Sequence, residues 1–207
     1  MAVTVDHYFS MVSPWAYIGH DAFHEMAARR GVEIRHRPVQ LPSVFEATGG
    51  LPLPKRHPAR QALRGVELQR WRDKRGVKLN LQPLHWPFAA ATADRMVLAI
   101  QGAGDDPAAF MRAVFVGAWA DEKDMADEAV LIATADAAGL DGKAVLASAR
   151  SDAIGKLYED NIASAIAVGC IGSPGYVLNG EVFWGQDRIE LLEDAIASGR
   201  APYQPLA

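Results

Sequence analysis

The sequence has 207 residues, 50% hydrophobic and 22% charged, with a formal net charge of −4 and a pI of 5.9. That is enough chain for one sizeable core, or for a core with a closely packed subdomain, and the acidic balance gives no general pull toward nucleic acid or anionic membranes. No apolar run approaches the roughly 18 residues of a membrane span, and the lone cysteine, Cys170, excludes an intrachain disulfide.

The opening Met1-Ala2-Val3-Thr4-Val5-Asp6-His7 lacks a basic region followed by an apolar one. It is not expected to direct secretion, and with a single thiol in the chain the cytoplasm is the expected compartment. Val3 to Phe9, β-branched and aromatic, reads as a strand. Ser13-Pro14 then opens a helix, with Ser as N-cap and Pro at the first helical position. Tyr17, Ile18, Ala22, Phe23, Met26 and Ala27 recur at helical spacing, and Arg29-Arg30-Gly31 closes it. Val32 to Val39 reads as a second strand. Strand, helix and strand in this order form a βαβ unit with parallel strands.

From about Ser43 to Gly169 the pattern is helical almost throughout, as in Ala62–Arg75, Thr92–Ile100, Pro107–Trp119, Asp127–Ala138 and Ser151–Val168. The end returns to β structure. Gly175–Asn179 and Glu181–Trp184 read as strands joined by Asn179-Gly180, a hairpin signal, and a helix over Arg188–Ser198 follows. This order, βαβ then ββα around a helical block, is that of an α/β thioredoxin-like domain. The expected division is a discontinuous thioredoxin-like domain at 1–42 and 170–207, with an all-helical insertion at 43–169.

Three segments of the thioredoxin-like part have the composition of a site. Thioredoxin-like oxidoreductases carry Cys-x-x-Cys at the start of the first helix, where the helix end stabilises a thiolate. Here Ser13-Pro14-Trp15-Ala16 stands there, so disulfide exchange by this chain alone is excluded. A hydroxyl and helix-end donors remain, and if the chemistry needs a thiolate, the thiol must arrive with a partner, of which glutathione is the abundant one. Read alone, Ser13 is simply a helix cap. Ser173-Pro174, just before the hairpin, stands where such domains place a cis-proline facing that helix end, and its isomer is expected to be cis. At the Phe183-to-Arg188 corner, Gln186 or Asp187 is either a helix cap or part of a grip on a γ-glutamyl group.

Together, Asp6-His7-Tyr8-Phe9, Ser13-Pro14-Trp15-Ala16-Tyr17, Ser173-Pro174 and Phe183-Trp184-Gly185-Gln186-Asp187-Arg188 resemble the 2-hydroxychromene-2-carboxylate isomerases. These are relatives of kappa-class glutathione transferases and of bacterial DsbA-like disulfide oxidoreductases. Asn80-Leu81-Gln82-Pro83 and Gly139-Leu140-Asp141-Gly142 are also family-like, so the resemblance covers essentially the whole chain. Departures are Ser10, where Asp is frequent; Gly49-Gly50 through Pro54, where an Asn followed by prolines is common; and Ser173, where Val or Ala often precedes the proline.

The resemblance implies a homodimer that uses glutathione as a cofactor, with Ser13 beside its sulfur. The cofactor site would comprise Ser13, Pro14, Trp15, Ser173, Pro174, Gln186 and Asp187. The implied reaction is the cis–trans isomerisation linking 2-hydroxychromene-2-carboxylate to trans-o-hydroxybenzylidenepyruvate in aromatic-compound breakdown, through reversible thiolate addition. The alternatives are a kappa-like glutathione transferase acting on another electrophile and a non-catalytic thioredoxin-like binding module.

Outside these segments, Lys55, Arg56, His57, Arg60 and Arg64 form a basic stretch. By default it is a solvated face; Lys55, Arg56 and Arg60 are the candidates for meeting the substrate's carboxylates or the glycyl end of glutathione. Trp86, with Trp119, is a candidate lining for an aromatic pocket, or else core. His20 and His24 have an i, i+4 spacing that a metal can use, but no third ligand stands out, so no metal is expected. Cys170 reads as a small buried hydrophobe.

Overall fold

The structure, a computed structural model, describes residues 3–205; Met1 and Ala2 of the leading segment lie outside the described residues. Four strands, β1 (Thr4–Phe9), β2 (Glu33–Pro38), β3 (Gly175–Leu178) and β4 (Glu181–Trp184), form one sheet in the order β2-β1-β3-β4. β1 and β2 are parallel, in register from Thr4↔Glu33 to Phe9↔Pro38. β3 runs antiparallel to both β1 and β4.

The parallel pair needs a crossover, and α1 (Pro14–Arg30) supplies it. Ser13 is extended and its side chain accepts from the Ala16 N–H, while Pro14 occupies a position where no N–H is missed. Gly31 closes the helix at φ 63°, donating to Ala27 and Ala28 carbonyls. At the β3–β4 turn, Asn179 (φ 52°) and Gly180 (φ 87°) are both left-handed, the requirement of the two-residue hairpin that Asn-Gly signals.

Seven α-helices lie between β2 and β3: α2 (Leu41–Thr48), α3 (Pro58–Arg75), α4 (Ala91–Gly102), α5 (Ala108–Trp119), α6 (Glu128–Ala137), α7 (Gly142–Ala149) and α8 (Asp152–Val168). α9 (Ile189–Ser198) ends the fold. The helical block is less continuous than its sequence pattern, because residues 76–90 form turns and irregular chain. Gly76 stops α3, and Pro83 and Pro87 lack the donors a helix would need. This stretch is held by tertiary bonds instead: Asn80 N–H to Trp119 O at 2.7 Å, and Tyr17 O–H to Lys78 O at 2.8 Å.

One sheet face packs on α1 and α9, where Val5, Tyr176 and Leu178 meet Phe23, Met26, Ile189 and Leu192. The opposite face packs on α2 and α8, where Tyr8 and Val177 meet Val44, Ala165 and Cys170. A third cluster joins Phe9, Met11 and Ile18 to Val97, Ile100, Phe110, Val114, Phe115 and Trp119. The N-terminal half of α1 therefore shares one core with α4 and α5. This junction between sheet and helical block is where the candidate site lies.

Candidate active site

Ser13 is buried, and its hydroxyl stands at a meeting point. It accepts from Ala16 N–H at 3.3 Å and donates to the Ser173 carbonyl at 3.1 Å. Its own N–H donates to Ser10 O at 3.0 Å. Ser10 N–H in turn donates to the Ser173 hydroxyl at 3.1 Å. The Ser173–Pro174 peptide is cis, as expected for a residue facing the helix start. Pro174 O accepts from Gly185 N–H at 2.9 Å, tying the Ser173–Pro174 turn to the corner after β4. Segments far apart in sequence thus converge through serine side chains and one backbone bond, with Pro14 in the first turn of α1 and Trp15 packed against the neighbouring core.

The corner differs in detail from the sequence expectation. Gln186 is buried and does not cap α9; it accepts from Arg75 Nε at 3.2 Å through its side chain and from Arg75 Nη2 at 3.3 Å through its carbonyl. Its place is fixed by Gly19, where a Cβ would stand 2.5 Å from the Gln186 Cβ. Asp187 is exposed, caps no helix, and is paired with Arg188 at 2.8 Å. Arg75 carries no motif signal, since it reads as an ordinary basic residue in the last turn of a helix.

The helical block brings Trp86 to the same loop, where its indole N–H donates to Val12 O at 3.0 Å. Its ring lies 5.7 Å from that of Trp119 and 5.6 Å from the guanidinium of Arg64. Burial and the nearby Arg56 lower the pKa of Arg64. Lys55 and Arg60 are exposed, and Arg56 is partly buried. Arg56 donates to Leu51 O at 2.7 Å and lies over the Phe45 ring. Of the basic stretch, the structure therefore brings Arg64 to the tryptophan beside the Ser13 loop. The helical spacing from Arg60 to Arg64 was the available signal, but it could not show which turn faces inward.

Behind the loop lies Asp94 of α4, fully buried. It accepts from Ser10 Oγ at 3.0 Å, Met11 N–H at 2.9 Å and Tyr158 O–H at 3.0 Å. Burial pushes its carboxyl up to about 7, against the pull of those three donors. Nothing in the local pattern of α4 distinguishes it from a solvent-facing acid.

His20 and His24 lie together with ring centroids 4.1 Å apart, and His24 stacks on His36 at 5.4 Å. His36 and His7 share a hydrogen bond between their Nδ1 atoms at 3.3 Å, which requires one donor and one acceptor. Burial lowers the pKa of all four, His36 to about 3. Among the described residues no group of three or more His, Cys, Asp or Glu is arranged to hold a metal. Cys170 is buried, bonded to Gly172 O at 3.4 Å, and burial pushes its thiol up. It packs with Tyr8, Val44 and Ala165 on the sheet face opposite α1.

The sequence matches the family model described as a DSBA-like thioredoxin domain over residues 4–197. It is 30% identical over 195 residues to the 2-hydroxychromene-2-carboxylate isomerase of Sphingobium xenophagum, covering 93% of this chain and 97% of the relative. The chain belongs to the 2-hydroxychromene-2-carboxylate isomerase family. A solved structure of a 2-hydroxychromene-2-carboxylate isomerase superposes with a TM-score of 0.79 at 26% identity, covering 94% of this chain and 95% of that one. Glutathione S-transferase kappa 1 of Caenorhabditis elegans is 23% identical over 204 residues, with 93% and 90% covered. Membership in the isomerase family accounts for the thioredoxin-like fold with its helical insertion.

Proposed function

We propose that the protein binds glutathione at the Ser13–Ser173 junction and uses it to isomerise 2-hydroxychromene-2-carboxylate to trans-o-hydroxybenzylidenepyruvate, or a closely related aromatic carboxylate. The observation that carries this reading is the Ser13 Oγ bond to the Ser173 carbonyl at 3.1 Å, made at the first turn of a helix in a chain of this family. A cysteinyl sulfur bound beside the proline turn would lie within reach of that hydroxyl. The donor set fits a thiolate, with a hydroxyl able to turn from carbonyl to sulfur, the α1 amides, and no resident thiol nearby.

Bound glutathione would supply a thiolate that adds to the conjugated double bond, permits rotation and leaves again. The chain's own residues set the conditions. A free thiol titrates near pH ~8.5, so only a few per cent is ionised at pH 7. A hydrogen bond to a charged acceptor is worth roughly 1.5–3 kcal/mol, which lowers the thiol's pKa by about one to two units. The helix end adds about 0.3–1 kcal/mol in the same direction. Ser13 is thus a stabiliser of the thiolate and need not act as a nucleophile. The corner at Gln186 and Asp187 would hold the γ-glutamyl end, and Arg64 over Trp86 would meet the carboxylate of the aromatic substrate.

The test is an ultraviolet titration of thiolate absorbance for glutathione bound to the protein, alongside spectrophotometric turnover of 2-hydroxychromene-2-carboxylate. The expected outcome is a bound-thiol pKa well below that of free glutathione. In Ser13→Ala it should rise by about one to two units with most of the affinity kept. An unshifted thiol in the wild type would sink the reading in favour of a non-catalytic binding module. The match to the nematode kappa transferase favours a second reading, transfer of glutathione to an electrophile. Consumption of glutathione during turnover would select it, since isomerisation returns the thiol.

A further inference from the structure

We infer that Asp94 is the positioning residue of this site: from the helical insertion it fixes the turn that carries Ser13, and so sets where the Ser13 hydroxyl points. The inference rests on the glutathione reading above. Asp94 touches neither Ser13 nor the proline turn; it grips what lies between them. Two of its three donors, Ser10 Oγ and Met11 N–H, belong to the loop leading into α1. From Ser10 the connection is direct, because its carbonyl receives the Ser13 N–H and its N–H donates to the Ser173 side chain. One buried carboxyl thereby ties together both partners in the Ser13–Ser173 hydrogen bond.

The location is costly on packing grounds. The Asp94 neighbours on α4, Ala93, Met96, Val97, Leu98 and Ile100, are all buried apolar residues. A carboxylate in such a setting is stable only when donors surround it. Here the donors are two atoms of the active loop and the phenol of Tyr158, 3.0 Å away on α8. α4 packs on β2, α5, α7 and α8. The other charged groups of these elements are engaged elsewhere or exposed: Arg37 pairs with Asp6, Arg112 with Asp21 and Lys156 with Asp160. Lys143 is exposed, and His36 bonds His7 through its ring and Gln101 through its N–H. Arg95, next along α4, lies over the Tyr158 ring at 5.6 Å. Of the charged and titratable side chains on those four elements, only Tyr158 bonds Asp94.

Positioning and simple charge predict opposite signs. Removing a nearby negative charge through its field alone lowers the pKa of a thiol, because the thiolate is repelled less. Releasing the loop withdraws the Ser13 hydroxyl and raises it. The experiment is the same ultraviolet titration of bound glutathione in Asp94→Asn and Tyr158→Phe, with affinity for S-methylglutathione measured in parallel. In Asp94→Asn the bound thiol's pKa should rise by about half to one unit, less than in Ser13→Ala, while S-methylglutathione affinity changes less than about threefold. Tyr158→Phe leaves the loop's own atoms in place but removes a donor from Asp94. It should move the acid limb of kcat up by about one pH unit.

A thiol pKa that stays put or falls in Asp94→Asn overturns the inference, as does an unmoved acid limb in Tyr158→Phe. Equal losses of S-methylglutathione and glutathione binding would mean that Asp94 is merely structural, which also overturns it. If Asp94→Asn does not fold, Tyr158→Phe decides alone. A wild-type protein that fails to lower the thiol's pKa removes the glutathione reading itself, and this inference with it; a normal wild type with unresponsive variants removes only the inference.

Discussion

The Ser13 hydroxyl accepts one bond from its own helix and donates one to the Ser173 carbonyl, so its donor can be redirected without leaving a buried hydroxyl unpaired. Arg64 offers a comparable asymmetry. Its guanidinium lies over Trp86, whose indole N–H holds Val12, one residue from Ser13. Arg64→Met keeps the apolar stem against the ring and removes the charge. With 2-hydroxychromene-2-carboxylate, KM should rise about tenfold to a hundredfold, the worth of a charge-assisted hydrogen bond, with glutathione affinity unchanged. Steady-state kinetics check this, and an unmoved KM would place the carboxylate elsewhere. The sequence made Ser13, Ser173-Pro174 and the last corner legible because motif residues are contiguous. Asp94 and Arg75 were not, since a lone acid or base on a helix carries no sign of which way it faces.

At the level of elements, the junction of α1 with the corner after β4 depends on a missing side chain. A Cβ at Gly19 would meet the Gln186 Cβ at 2.5 Å and the Tyr176 hydroxyl at 3.1 Å. Gly19→Ala must push α1 from the corner, with an expected cost of about 1–3 kcal/mol and a fall in melting temperature of about 2–4 °C per kcal/mol. Glutathione binding should weaken with it. Gly65, inside α3, has no atom within 4 Å of such a Cβ, and Gly65→Ala should hold or raise the melting temperature. Thermal melts of the two variants form the test, and equal behaviour would mean that the corner yields without cost. Some helix ends were legible for local reasons, as in Ser13 capping α1 and Gly31 closing it. The path of residues 76–90 was not, because its hydrogen bonds go to α1, α5 and the Ser13 loop.

For the molecule as a whole, acid should be destabilising. Burial keeps His7, His20 and His36 neutral in the fold. Below an unfolded pKa of about 6.5, the unfolded chain binds protons that the fold refuses, so each histidine costs about 1.4 kcal/mol per pH unit. Asp94 works in the opposite direction. Its folded pKa of about 7 lies above the ordinary 3.8, so acidification through that window favours the fold. Three histidines outweigh one carboxyl, and from pH 7.5 to 5.5 the net loss is about 2 kcal/mol. The melting temperature should fall by about 5 °C over that range, and a melt that is flat or rises would show that the histidines are not held neutral.

The sequence by itself determined the βαβ and ββα halves, the capped first helix, the hairpin and the absence of a redox pair, because period, caps, turn residues and cysteine count are local properties. Only the tertiary structure decided which side chains share the site. Desolvation and hydrogen bonding act between residues brought together by packing: Asp94 lies 84 positions from Ser10 and Ser173 lies 160 from Ser13. The chemistry of those pairs belongs to the fold rather than to any segment of the chain.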